Sequence, residues 1–169
     1  MEQFLITYEQ SLRHLRVAEH ILTVTHPLLQ DPKLLLGVID NLFLALKNAL
    51  KALLLYDYAH KNIPPFVDDL DGQLRMFQVK SMPLHDMDEA YLSHFYDMRE
   101  LIRRHRTSTV EFRRKDRFVM CTPSYDLTVV TVSTMRTYLI KTKQFVGAVG
   151  TILNNERLSR GSQGRIEAC

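Results

Sequence analysis

The segment Met98-Arg99-Glu100-Leu101-Ile102-Arg103-Arg104-His105 sets an arginine and a histidine six positions apart. These two side chains are the parts that metal-independent phosphodiester chemistry needs. Histidine gives or takes a proton near neutral pH, and a guanidinium grips a phosphate through paired hydrogen bonds. Arg99 and His105 are therefore the candidate catalytic residues. On a straight helix, six steps of about 100° leave them about 120° apart. Reaching one phosphate then requires a helix break near Arg104 or a second subunit. His105 is also in phase with Tyr91, Phe95, Met98 and Ile102, so a structural place at the end of an apolar stripe is the competing reading.

Positive charge gathers just beyond this element. Arg103, Arg104, Arg106, Arg113, Arg114, Lys115 and Arg117 stand against Glu111 and Asp116, a local +5 in a chain of net charge +3, so the remainder carries −2. A block of this kind is the electrostatic footprint of a polyanion site, and those seven residues are the candidate nucleic-acid contacts. Solvated arginines paired to acids elsewhere in the fold are the alternative.

Other chemistries find less purchase. Asp68, Asp69, Asp71 and Gly72 lack the alternate acids and distal glutamate of a calcium loop. His85, Asp86, Glu89 and His94 contain no i, i+4 histidine pair, and helix capping accounts for the acids, so no metal is expected. Gly-rich phosphate loops, HExxH and GxSxG are missing, and no cofactor is expected. Cys121 and Cys169 fit neither a disulfide framework nor a zinc spacing, which suits a reducing compartment. The N-terminal stretch MEQFLITYEQ does not read as a signal peptide, so a cytoplasmic location is the expectation.

The elements that must position these residues are mostly helical. Leu34 to Lys61 is apolar most of the way round, with a narrow polar stripe through Asp40, Asn41, Lys47, Asn48 and Lys51, and such a helix must be wrapped by partners. Its uncharged runs fall far short of the roughly 20 residues that span a bilayer, so no membrane is expected. Residues 4–26 repeat apolar side chains at helical spacing and should end at His26-Pro27, because a residue before proline avoids the α region. Phe66 to Pro83 reads as a long loop with at most one helical turn. Leu84 to His105 forms a third helix with Asp86, Asp88 and Glu89 in its first turn. Phe118–Cys121 and Leu127–Thr131 flank a turn cluster and predict a two-stranded hairpin. Helical spacing returns at Val132, capped by Thr131 or Ser133. The expected fold is mainly α: an antiparallel four-helix bundle with a small β-hairpin between helices three and four. Residues 1–155 would form one helical domain, large enough to bury roughly two-thirds of its unfolded surface. Residues 156–169 would form a flexible basic tail.

In its order of parts the chain resembles the HEPN superfamily of helical bundles. The likeness lies in an amphipathic first helix, a long second helix rich in Leu, Ala and Lys, an Arg-x5-His element at Arg99 and His105, and one more helix. Glu100 stands where catalytic members usually carry a polar Asn, Asp or His. The resemblance implies an RNA-associated protein, a homodimer, and a metal-independent endoribonuclease acting through Arg99 and His105. A second expectation is a non-catalytic interaction module that docks a partner protein through Leu36, Leu44 and Leu55 on the far side of the second helix.

Overall fold

The computed structural model of the protein describes residues 2–114 and 116–163. In chain order it contains α1 (Gln3–His20), α2 (His26–Leu29), α3 (Leu34–Ala59), α4 (Leu70–Met76), α5 (Met82–Leu84), α6 (Ala90–Thr107), β1 (Val110–Arg114), β2 (Arg117–Cys121), β3 (Leu127–Thr131) and α7 (Val132–Gln163). The protein is mainly helical, with one small antiparallel sheet. No helix among the described residues is long and apolar enough to cross a membrane.

The core is built on α3. Leu35, Ile39, Leu42, Leu46, Leu50, Leu53 and Leu54 lose essentially all their solvent exposure. Full burial of each such side chain contributes about 1.5–3 kcal/mol, which makes α3 the main source of stability. α1, α4, α6 and α7 all pack against it. α1 approaches closely because small residues line the contact: the buried Ser11 hydroxyl donates to the Ala45 carbonyl at 2.7 Å, beside Ala18 and Ala49. α7 is held to α1 by Tyr8, whose hydroxyl donates to the Val146 carbonyl at 3.0 Å.

Two prolines behave differently from the sequence expectation. His26-Pro27 does not end the first helix, since a wide turn at Ile21–Thr25 carries the chain on into α2. Likewise Phe66 to Pro83 is largely helical: α4 continues through a wide turn at Phe77–Ser81 into α5. In both places the amide just before the proline reaches back five residues, His26 to Ile21 and Met82 to Phe77. Proline has no N–H for the fourth carbonyl back and its ring crowds that carbonyl, so widening one turn keeps the helix going. α2 then stops at Gln30, whose φ of 52° is left-handed.

The third helix begins later than expected. Leu84 closes α5, Asp86 turns the chain with a φ of 50°, and α6 starts at Ala90, whose amide donates to the Asp88 carboxylate at 2.8 Å. The last helix runs past the expected boundary at residue 155 as far as Gln163; residues 164–169 lie outside the described residues.

The expected two-stranded hairpin is a three-stranded meander, ordered β1-β2-β3. Arg113 pairs with Phe118 and Phe118 with Val130; Glu111 pairs with Met120 and Met120 with Thr128. Phe118, Met120 and Val130 are buried, which fixes this as the face turned to the helices.

Candidate nucleic-acid interface

α6 is continuous from Ala90 to Thr107, so the break that would bring Arg99 and His105 together does not occur. Each is held by a different element. Arg99 Nη1 meets Asp71 of α4 at 2.5 Å, and its guanidinium lies 5.9 Å from the centre of the Tyr96 ring. His105 Nδ1 lies 2.8 Å from Glu111 Oε1 on β1. The carboxylate can only accept, so Nδ1 carries the proton of this bond. Within one chain the pair does not converge on a shared phosphate.

The basic block divides in two. Arg103 makes a forked contact to Glu100 at 2.8 and 2.7 Å, and Arg104 reaches the same carboxylate at 2.9 Å. Hydrogen bonds from Arg103 and then Arg104 hold Glu100 down to about 2, so it remains charged and occupies both arginines. Arg104 also donates to Thr128 Oγ1 at 2.8 Å, tying α6 to β3. Arg113 points to the helical side and meets Asp31 at 2.9 Å. The Lys33 amide, then Arg113, keeps the Asp31 carboxyl below its ordinary range.

The remaining cations lie elsewhere. Among the described residues Arg106 and Arg114 have no acidic partner, and Arg117 has only Asp116 at 3.6 Å. Lys115 lies outside the described residues. In the register of the sheet, Arg114 stands directly opposite Arg117. Both belong to the face turned away from the helices, where the next row is Phe112, Val119 and Val129, followed by Val110, Cys121 and Leu127.

That outer face holds a groove of about 380 Å³ lined by Phe112, Arg114, Arg117, Val119, Leu127 and Val129. Phe112 is 42% exposed, Leu127 63% and Val129 45%, so apolar side chains on a sheet face are left uncovered. Like charges directly across a strand pair repel, and an anion between Arg114 and Arg117 would reverse the sign of that interaction. An apolar floor beside such a pair can hold a flat ring and its phosphate together.

Groups that the sequence suggested as metal ligands have other partners. His85 Nε2 is 2.7 Å from the fully buried Asp57, which also accepts from Ser81 at 2.5 Å. His94 is buried between α6 and α7, 2.9 Å from Thr142 Oγ1, and burial followed by the charge of Lys141 pushes it down to about 4. Of the residues expected to form a docking face on α3, Leu44 is exposed, while Leu36 and Leu55 pack against the core.

Sequence reasoning missed two features. The outer-face groove depends on β1, whose residues Val-Glu-Phe-Arg-Arg carry no core-facing apolar alternation. A cavity of about 620 Å³ lined by Leu22, His26, Gln30 and Arg136, among others, forms where the α2 corner meets the start of α7. Among the described residues His26 Nε2 is buried there without a partner. No local spacing announces this cavity, because its residues come from separate parts of the chain. Comparison with protein-family models, curated proteins and solved structures gives no match.

Proposed function

We propose that the protein is an RNA-associated helical protein that holds single-stranded RNA on the outer face of its sheet. The observation that carries this reading is the groove beside the opposed pair Arg114 and Arg117, where Phe112 and Val129 lie exposed on either side of the buried Val119. A base stacks on the apolar row, where aromatic contact is worth about 1–3 kcal/mol, and its phosphate sits between the two guanidinium groups. Recognition by stacking and charge tolerates many sequences. On this reading α1, α3, α6 and α7 form a bundle that serves as scaffold, with Arg104 and His105 fastening the sheet to it. Cleavage by Arg99 and His105 within one chain is not part of the proposal, because α6 holds them apart. The homodimer implied by the HEPN resemblance and the cytoplasmic location expected from the N-terminal stretch are compatible with it.

The test is fluorescence anisotropy of a labelled single-stranded RNA titrated with the wild type and with Phe112→Ala. Binding that weakens steeply with salt, and about tenfold weaker binding in the variant, is expected from loss of one stacking contact. Equal affinity of the two proteins would remove the sheet face from the account.

A further inference from the structure

We infer that β1 is a dimerisation strand, pairing antiparallel with β1 of a second copy about a two-fold axis centred on Phe112. Among the described residues β1 is at the edge of the sheet and pairs only with β2, and all five of its residues are exposed. An open edge offers unpaired main-chain donors and acceptors to another strand.

The register follows from the side chains. A two-fold perpendicular to the sheet keeps both sets of helices on one side, so each outer-face residue must meet an outer-face residue. Among registers that pair at least three β1 residues of each copy, that leaves three central positions. Centring on Glu111 opposes two glutamates, and centring on Arg113 opposes two arginines; like charges directly across a pair are destabilising. Centring on Phe112 opposes the two phenylalanines and sets Glu111 against Arg113 of the second copy, twice by symmetry. Only this register is charge-complementary.

The main chain agrees. Arg114 and Arg117 pair across a two-residue connection, which closes on a hydrogen-bonded pair, and alternation along the ladder turns Arg114, Phe112 and Val110 toward β2. Glu111 and Arg113 therefore direct their N–H and C=O groups to the open edge, where the Phe112-centred register uses them in two hydrogen-bonded pairs.

Existing ion pairs extend across the junction. His105 already holds Glu111, and Asp31 already holds Arg113, each through one side of the group. The dimer links them as His105, Glu111, Arg113 of the second copy and Asp31 of the second copy. The corner that Asp31 ties to β1 also carries Leu28 and Leu29, 78% and 66% exposed, which gives apolar surface beside the edge for the second copy to cover. Five residues of strand pairing alone fall below the roughly 1,200–2,000 Å² of a stable interface, so association is concentration-dependent.

Sedimentation equilibrium over a dilution series tests this, with folding checked by circular dichroism. The wild type is expected to pass from monomer to dimer. Glu111→Arg and Arg113→Glu should each weaken dimerisation roughly tenfold or more, because the two-fold counts every like-charge contact twice. The double variant Glu111→Arg/Arg113→Glu should recover the dimer although it lacks both internal ion pairs. A second measurement reads the register: in a Cys121→Ser/Cys169→Ser background, Phe112→Cys should form a disulfide-linked dimer under mild oxidation, whereas Val110→Cys should not. A wild type that stays monomeric throughout, a dimer untouched by either single reversal, a double variant no better than the singles, or cross-linking at 110 instead of 112 would each overturn the proposal.

Discussion

His105 Nδ1 and Glu111 Oε1 are 2.8 Å apart, and this bond joins the last turn of α6 to β1. Both side chains are about a third exposed, so the pair is worth less than about 1 kcal/mol. His105→Ala should lower stability by that much and leave RNA affinity unchanged. Incubating wild type and His105→Ala with a mixed RNA pool in EDTA should leave the RNA intact in both cases. Cleavage by the wild type that His105→Ala abolishes would restore the histidine to a catalytic role.

Asp57 gives a larger effect. Its carboxylate is fully buried and accepts from both Ser81 and His85, linking α3 to the α4–α5 segment. Asp57→Ala leaves those partners unsatisfied in the interior, a loss of roughly 3–5 kcal/mol. Asp57→Asn should cost less, because its amide oxygen still accepts one bond. Urea denaturation of the three proteins measures the order.

His94 should set part of the acid limb of stability. Burial, then Lys141, lowers its folded value to about 4 from an ordinary 6.5, so the unfolded chain binds this proton more readily. The folded state therefore keeps the full contribution above about pH 6.5, loses it progressively as pH falls toward 4, and can lose up to about 3 kcal/mol in that window. Replacing His94 with Gln should flatten melting temperature against pH between those limits. An unchanged slope would mean that the histidine is charged in the fold.

Two glycines of α7 should respond in opposite directions. A Cβ at Gly150 would lie 2.2 Å from the Tyr8 hydroxyl and 3.0 Å from its ring carbon, displacing the group that bonds Val146. Among the described residues nothing beyond the helix's own backbone lies within 4 Å of a Cβ at Gly147. Gly147→Ala should stabilise by about 0.5–1 kcal/mol through helix propensity, and Gly150→Ala should destabilise by about 1–2 kcal/mol from overpacking net of that gain. Thermal melts of the two variants check the contrast.

The parts of this fold that obey a single period could be read from the chain. α3 is apolar most of the way round, α6 carries Phe95, Met98 and Ile102 on one stripe, and the Thr131 hydroxyl caps α7 by accepting the Thr134 amide at 3.2 Å. Glu100, three and four residues before Arg103 and Arg104, is a helix-spaced pairing that local sequence also contains. β1 could not be read the same way, because its inward residues Glu111 and Arg113 meet His105 and Asp31 instead of the core. Arg113 and Asp31 are 82 residues apart, so nothing local marks that arginine as occupied. The continuation through Pro27 and Pro83 was hidden for another reason: a widened turn leaves the apolar spacing on both sides intact while shifting its phase.

The salt dependence of RNA binding tests the central claim most directly. Arg114→Ala and Arg117→Ala should each weaken binding of a single-stranded RNA and reduce the slope of log affinity against log salt by about 0.7, the increment for one phosphate contact on a single strand. Arg103→Ala should leave both quantities nearly unchanged, because its guanidinium is committed to Glu100. Slopes that fall for Arg103→Ala and hold for Arg114→Ala and Arg117→Ala would contradict an RNA site on the outer face of the sheet.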